Sequence, residues 1–149
     1  MTVRFRFRPR YGALAWGTVV LGAIAAAVGT GSGVTTLTIA GTIGFLLGVL
    51  YLASPAWRYV VRVDDEALEV VRGQERKFRL PWSAVVRVVA SPSTLTCFVD
   101  GGEPGRSLLV PGDGAPAPYD IERKADLYRA ILAAVPADKV REVTTLDAA

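Results

Sequence analysis

Four arginines occupy alternate positions near the start of the chain, Arg4, Arg6, Arg8 and Arg10, with Phe5 and Phe7 among the residues between them. A guanidinium is always charged, and its planar fork of donors matches the oxygens of phosphate and carboxylate. Arginines two apart on an extended segment would therefore line up anion-binding groups on one face. A second basic cluster, Arg72, Arg76, Lys77 and Arg79, is interleaved with Glu69 and Glu75. Both sets offer contact with the anionic headgroups of membrane lipids. Each also has a plainer reading. Arginines beside a membrane span are an orientation signal, held on the cytoplasmic side, and this is the reading favoured for residues 1–10. The second cluster reads more simply as a solvated strand face. A third reading of the leader is an edge strand added to a β domain further along.

Covalent chemistry has little to work with. The chain contains no histidine, the commonest general base and metal ligand. The single cysteine, Cys97, lies in an apolar run and reads as a buried structural thiol. Asp64, Asp65 and Glu66 share one turn, and Asp113 and Asp120 flank a loop; none stands beside a nucleophile or a metal partner. The run Gly101-Gly102-Glu103-Pro104-Gly105 opens no helix and lacks the lysine of a phosphate-cradling loop. The expectation is a non-enzyme with no cofactor and no metal site. The net charge of +3 comes from the leader: after residue 10 there are 13 basic and 14 acidic residues. A folded part so balanced offers no basic face for nucleic acid.

The elements that must position these residues are set by a long apolar stretch. No charge occurs in the 47 residues between Arg10 and Arg58. Two arms, residues 11–28 and 34–53, flank Gly29-Thr30-Gly31-Ser32-Gly33. At 1.5 Å per residue they reach about 27 and 30 Å, against about 30 Å of hydrocarbon. A transmembrane helical hairpin over 11–56 is expected. Tyr11 and Trp16 begin the first arm, and Tyr51, Trp57 and Tyr59 end the second. These aromatics and the flanking arginines put both termini in the cytoplasm and the turn outside an inner (cell) membrane. Cleavage of the first arm as a signal peptide is a rival reading. Ala40, Gly44 and Gly48 form a small-residue stripe with a GxxxG spacing, suited to close packing on Gly22 and Ala26 of the first arm or, alternatively, to a homodimer.

From residue 57 the pattern changes to short strands. Segments 58–63, 67–72, 75–80, 85–90, 95–99 and 106–110 are apolar or alternating, and turn residues separate them. A loop over 111–118 follows, then a helix capped by Asp120 and running to Val135, with Ile121, Ala125, Tyr128, Ile131, Leu132 and Val135 on one face. Residues 136–149 read as a tail.

Phe78-Arg79-Leu80-Pro81-Trp82-Ser83-Ala84-Val85, set behind two apolar arms and a strand hairpin, resembles the membrane-anchored bacterial proteins that carry a pleckstrin-homology-like (PH-like) domain. The resemblance covers residues 57–135. It implies a fold of membrane helical hairpin plus α+β domain, the latter an antiparallel PH-like β-barrel or meander closed by one C-terminal amphipathic helix. Pro81 and Trp82 would form a corner of that domain. Lipid-reading relatives of this fold carry lysines and arginines on the first hairpin, where this chain has Asp64-Asp65-Glu66; three carboxylates there repel phosphate. The expected role is a non-catalytic membrane protein presenting the domain to a protein partner near the membrane. The alternatives are lipid-surface or envelope-stress sensing through Arg4, Arg6, Arg8, Arg10, Arg76, Lys77 and Arg79, and self-association as a structural subunit. The expected partners are membrane lipids and a protein.

Overall fold

The structure is a computed structural model and describes residues 1–112, 115 and 117–144. Asp113, Gly114 and Pro116 of the expected loop, and 145–149 of the expected tail, lie outside the described residues. The chain divides into two compact units. One is the apolar stretch, residues 9–55; the other joins residues 1–8 to 56–149.

The apolar unit is two helices, α1 (Gly12–Ser32) and α2 (Thr35–Leu52). Both are long and apolar enough to cross a membrane. Their outward side chains are large and bare: Leu14, Leu21, Leu47 and Leu50 each expose more than 60% of their surface. The glycine-rich segment does not break α1, which runs through to Ser32. The Thr30 and Ser32 hydroxyls donate back to the carbonyls of Ala26 and Val28, so these polar side chains are satisfied inside the helix. The reversal needs only Gly33, whose φ of 73° is left-handed, and Val34.

The helices pack on a different stripe from the expected one. Ala15, Gly22 and Gly29 of α1 and Gly41 and Gly48 of α2 are buried, at a spacing of seven. A Cβ added to Gly22 or Gly41 would meet the backbone of the opposite helix. Of the expected set Ala40, Gly44 and Gly48, only Gly48 lies at this close approach. Ala40 is exposed, and a Cβ on Gly44 would make only ordinary contact with Thr18. Seven residues nearly complete two helical turns, whereas four overshoot one. The Tyr11 backbone N–H donates to the Tyr51 hydroxyl (3.1 Å), so these two aromatics share one end of the hairpin.

The other unit contains, among the described residues, β1 (Val3–Pro9), β2 (Tyr59–Val63), β3 (Ala67–Arg72), β4 (Glu75–Pro81), β5 (Arg87–Ser91), β6 (Thr96–Asp100), β7 (Leu108–Val110), β8 (Tyr119–Ile121), α3 (Lys124–Ala134) and β9 (Val140–Glu142). Two sheets form, in the orders β4-β3-β2-β1-β8 and β7-β6-β5-β9. Side chains from both, with Leu127, Tyr128, Ile131 and Val135, make one core. Strand pairing is mostly antiparallel; β9 runs parallel to β5. The ladders are those of two open sheets.

The leader is part of this unit. β1 pairs antiparallel with β2, Phe5 opposite Val61, and lies inside the sheet between β2 and β8. Alternation explains it: Phe5 is fully buried, and Phe7 stacks on Tyr119 at 4.9 Å. Two aromatics on one face of an extended segment contribute apolar burial that an unattached leader would forgo. The helical hairpin is therefore the connection between two neighbouring strands, and residues 57–149 alone lack a central strand. Tyr59, expected in the aromatic belt, packs instead beside Phe7 at 5.9 Å.

The strands expected over 58–110 are present with small shifts. The largest follow Trp82, where a 3-10 turn (Trp82–Ala84) delays β5, and Pro104, where another (Pro104–Arg106) shortens β7. Asp120 does not cap the helix. It lies in β8 and meets Arg8 at 3.5 Å, and α3 starts at Lys124, after Arg123 in a left-handed conformation (φ 51°). Leu127 joins the buried helix face. Within the expected tail, Val140–Glu142 add β9 beside β5, which no strong alternation had marked.

Candidate functional site

The outer face of the five-stranded sheet carries the charge. Alternation sends Phe5 inward, so Arg4, Arg6 and Arg8 point out. Register then decides their neighbours. Arg4 lies opposite Arg62, Arg62 opposite Glu69, and Glu69 opposite Arg79. The next row is Arg6, Val60, Val71 and Arg76. A bulge after Val70 leaves Lys77 as the extra residue on β4.

On the β3–β4 side each cation has a partner. Arg72 Nη2 donates to Glu75 Oε2 at 2.9 Å, Arg76 Nε contacts Glu69 Oε1, and Arg79 Nη2 donates to Glu66 Oε2 at 3.2 Å. Lys77 Nζ sits 5.0 Å above the Tyr59 ring. The second sequence cluster is thus largely neutralised by its own sheet. The β1–β2 side differs. Among the described residues no carboxylate pairs with Arg4, Arg6 or Arg58. Arg62 reaches Glu69 only at 3.8 Å, and its buried Nε has no hydrogen-bond partner. Arg4, Arg6, Arg58 and Arg62 line a cleft of about 340 Å³ together with Val60, Val71 and Trp57. Glu69 is shared between Arg62 and Arg76, with which it lines an adjoining hollow.

Sequence reading singled out Arg4 and Arg6 but missed Arg58 and Arg62. Their signal is faint: a basic residue just after the apolar stretch, and one inside a Val-rich strand. Only the pairing of β1 with β2 brings all four together. Arg8 is drawn aside to Asp120.

The first hairpin turn is built by its acid. Asp64 Oδ1 accepts the N–H groups of Glu66 (2.9 Å) and Ala67 (2.8 Å). These backbone donors hold the Asp64 carboxyl below its usual range. The Trp82 indole, buried at the corner after Pro81, donates to the Asp64 carbonyl at 2.9 Å, so the expected corner is a packed and hydrogen-bonded one. Cys97 is fully buried, and desolvation pushes its thiol up to about 12. No group of three or more acids, cysteines or histidines suited to a metal occurs among the described residues. Chemically, the cleft gathers four cations, three of which have no carboxylate partner among the described residues. Comparison with known proteins finds no match: no family model, curated protein or solved structure resembles the chain significantly.

Proposed function

We propose that this is a non-catalytic, multi-pass protein of a cell membrane whose β domain meets anionic groups at the membrane surface. The observation that carries the reading is the set Arg4, Arg6, Arg58 and Arg62 around one cleft, the first three without a carboxylate among the described residues and Arg62 with only a distant, shared one. Arg6 precedes α1 by six residues and Arg58 follows α2 by six, so basic residues of the cleft flank the apolar stretch in sequence. Apolar helices with bare leucines favour a lipid surround, and arginines at both flanks favour cytoplasmic termini and an inner-membrane address. Two sheets over one core with a helix against it support the PH-like resemblance. β1 and β9 are additions to what that resemblance implied.

Docking of a protein on an open sheet edge is the second reading. It has less behind it here. β7, β8 and β9 are edges of three residues each, and β4 is interrupted by its bulge and covered in charge. Self-association through glycine faces is weakened too, because Gly22, Gly41 and Gly48 are taken up between α1 and α2.

The test uses the full chain in nanodiscs. Gln74 is exposed beside the arginine face, and buried Cys97 will not compete for a thiol reagent. A Gln74→Cys protein carrying an environment-sensitive dye should change its emission in discs containing phosphatidylglycerol but not in pure phosphatidylcholine. About 1 M salt, where the Debye length is about 3 Å, should abolish the difference. Identical emission in both lipids at low salt would remove the surface reading.

A further inference from the structure

We infer that the cleft between Arg4, Arg6, Arg58 and Arg62 is a discrete binding site for one phosphate-bearing anion, a phosphomonoester or a pyrophosphate. This deepens the anionic-surface reading and rests on it for the lipid source of the phosphate.

Three observations converge on a built site. The first is like-charge crowding: Arg4 and Arg62 are direct cross-strand partners. Such a pair is destabilising on an open sheet face, and a bound anion converts the repulsion into shared attraction. The second is an unspent donor. Arg62 is two-thirds buried in its side chain, its Nε is fully buried, and nothing in the protein accepts from it. A charged group whose donors are not all used is costly to bury, and Arg62 also lines the cleft, where a bound anion compensates its charge. The third is shape. The cleft, about 340 Å³, falls in the range of small-ligand sites, about 300–1,000 Å³. Its lining joins apolar Val60 and Val71 to the four arginines.

The contrast with neighbouring arginines argues for phosphate rather than a protein carboxylate. Arg72, Arg76 and Arg79 are served singly by glutamates of their own sheet. Four guanidiniums around one hollow exceed what one carboxylate can accept. They match the three or more acceptor oxygens and roughly double charge of a phosphomonoester. Trp57 supplies an amphipathic wall that a lipid glycerol or a soluble organic phosphate could lie against. The free anion and the lipid headgroup present the same chemistry, and the experiment separates them.

Full-length protein in an uncharged detergent is titrated with inorganic pyrophosphate in a calorimeter. In parallel, the Gln74→Cys dye reports on discs containing phosphatidic acid, a monoester, or phosphatidylglycerol, a diester. Saturable binding of one pyrophosphate per chain is expected. Arg6→Gln and Arg58→Gln should each weaken it by about tenfold or more, and Arg8→Gln, outside the cleft, by less than about threefold. Stronger dye response to phosphatidic acid, displaced by pyrophosphate, identifies lipid as the source. Pyrophosphate binding without any lipid response supports the site, assigns it to a soluble phosphate and overturns the surface reading. A lipid response without saturable pyrophosphate binding, equally reduced by Arg6→Gln and Arg8→Gln, overturns the site and leaves a diffuse surface. No response in either arm overturns both.

Discussion

Two regions of the five-stranded sheet carry similar numbers of arginines and behave differently. On β4 and the end of β3, Arg72, Arg76 and Arg79 each find a glutamate. On β1 and at the start of β2, Arg4, Arg6 and the preceding Arg58 find none among the described residues, and Arg62 shares a distant one. Both inner faces are equally well packed, with Phe5 on β1 and Phe78 on β4 in the same core. The difference lies in what register places opposite each cation. It teaches that a basic cluster in sequence measures only the supply of charge; cross-strand partners decide how much remains for a ligand.

The largest effects come from the buried faces. Phe5→Ala and Phe78→Ala should each cost about 3–5 kcal/mol of stability, read by denaturant melts of the full chain. Only Phe5→Ala, which loosens β1, should also weaken pyrophosphate binding in the fraction that stays folded. Equal loss of binding from both would break the comparison.

A milder change makes the two ends alike. Val60→Glu puts a carboxylate directly opposite Arg6. It should lower pyrophosphate affinity by about tenfold or more while changing stability by only about 0.2–1 kcal/mol. The reverse change, Glu69→Gln, releases Arg62 and Arg76 together. Affinity for the anion should rise several-fold while stability falls by about 1 kcal/mol. A fall in affinity would mean that Glu69 positions Arg62 for binding.

Acid should act mainly at the β2–β3 turn. The folded Asp64 carboxyl lies below its unfolded value of about 3.8. Its contribution to stability is therefore complete above that value and is lost as pH falls through the lower folded one. Asp64→Asn keeps the turn's acceptor and should flatten the acid limb of the thermal melting profile. The smallest effect is Arg79→Gln, an exposed pair with Glu66, worth under about 0.5 kcal/mol and without consequence for pyrophosphate.

Much of the fold was legible from the sequence. An uncharged run of 47 residues can bury itself only in lipid or protein, and its two helices follow. β2, β3 and β4 are marked by alternation and by strong turns at Asp64 and Gly73. What was illegible involves choices between distant partners. The alternation of the R-x-R leader fits an edge strand, yet it joins the interior of the sheet, where Phe7 stacks on Tyr119, 112 residues away. The helix stripe was misjudged because Gly44 and Gly48 advertise a four-residue spacing, whereas the close approach uses Gly41 and Gly48. Asp120 looked like a cap because an acid before an apolar period usually is one; here Arg8 claims it. Arg58 and Arg62 joined the site only through pairing of β1 with β2, which spans the whole apolar hairpin.

The most direct test compares two triple variants of the full-length protein in phosphatidic acid nanodiscs, followed by the dye at Gln74→Cys. Arg4→Gln, Arg6→Gln and Arg58→Gln together should abolish the lipid response. Arg72→Gln, Arg76→Gln and Arg79→Gln together, the same loss of charge from the neutralised end, should leave most of it. Equal loss from both triples would contradict the account, because charge alone, and not its arrangement by the sheet, would then govern the surface.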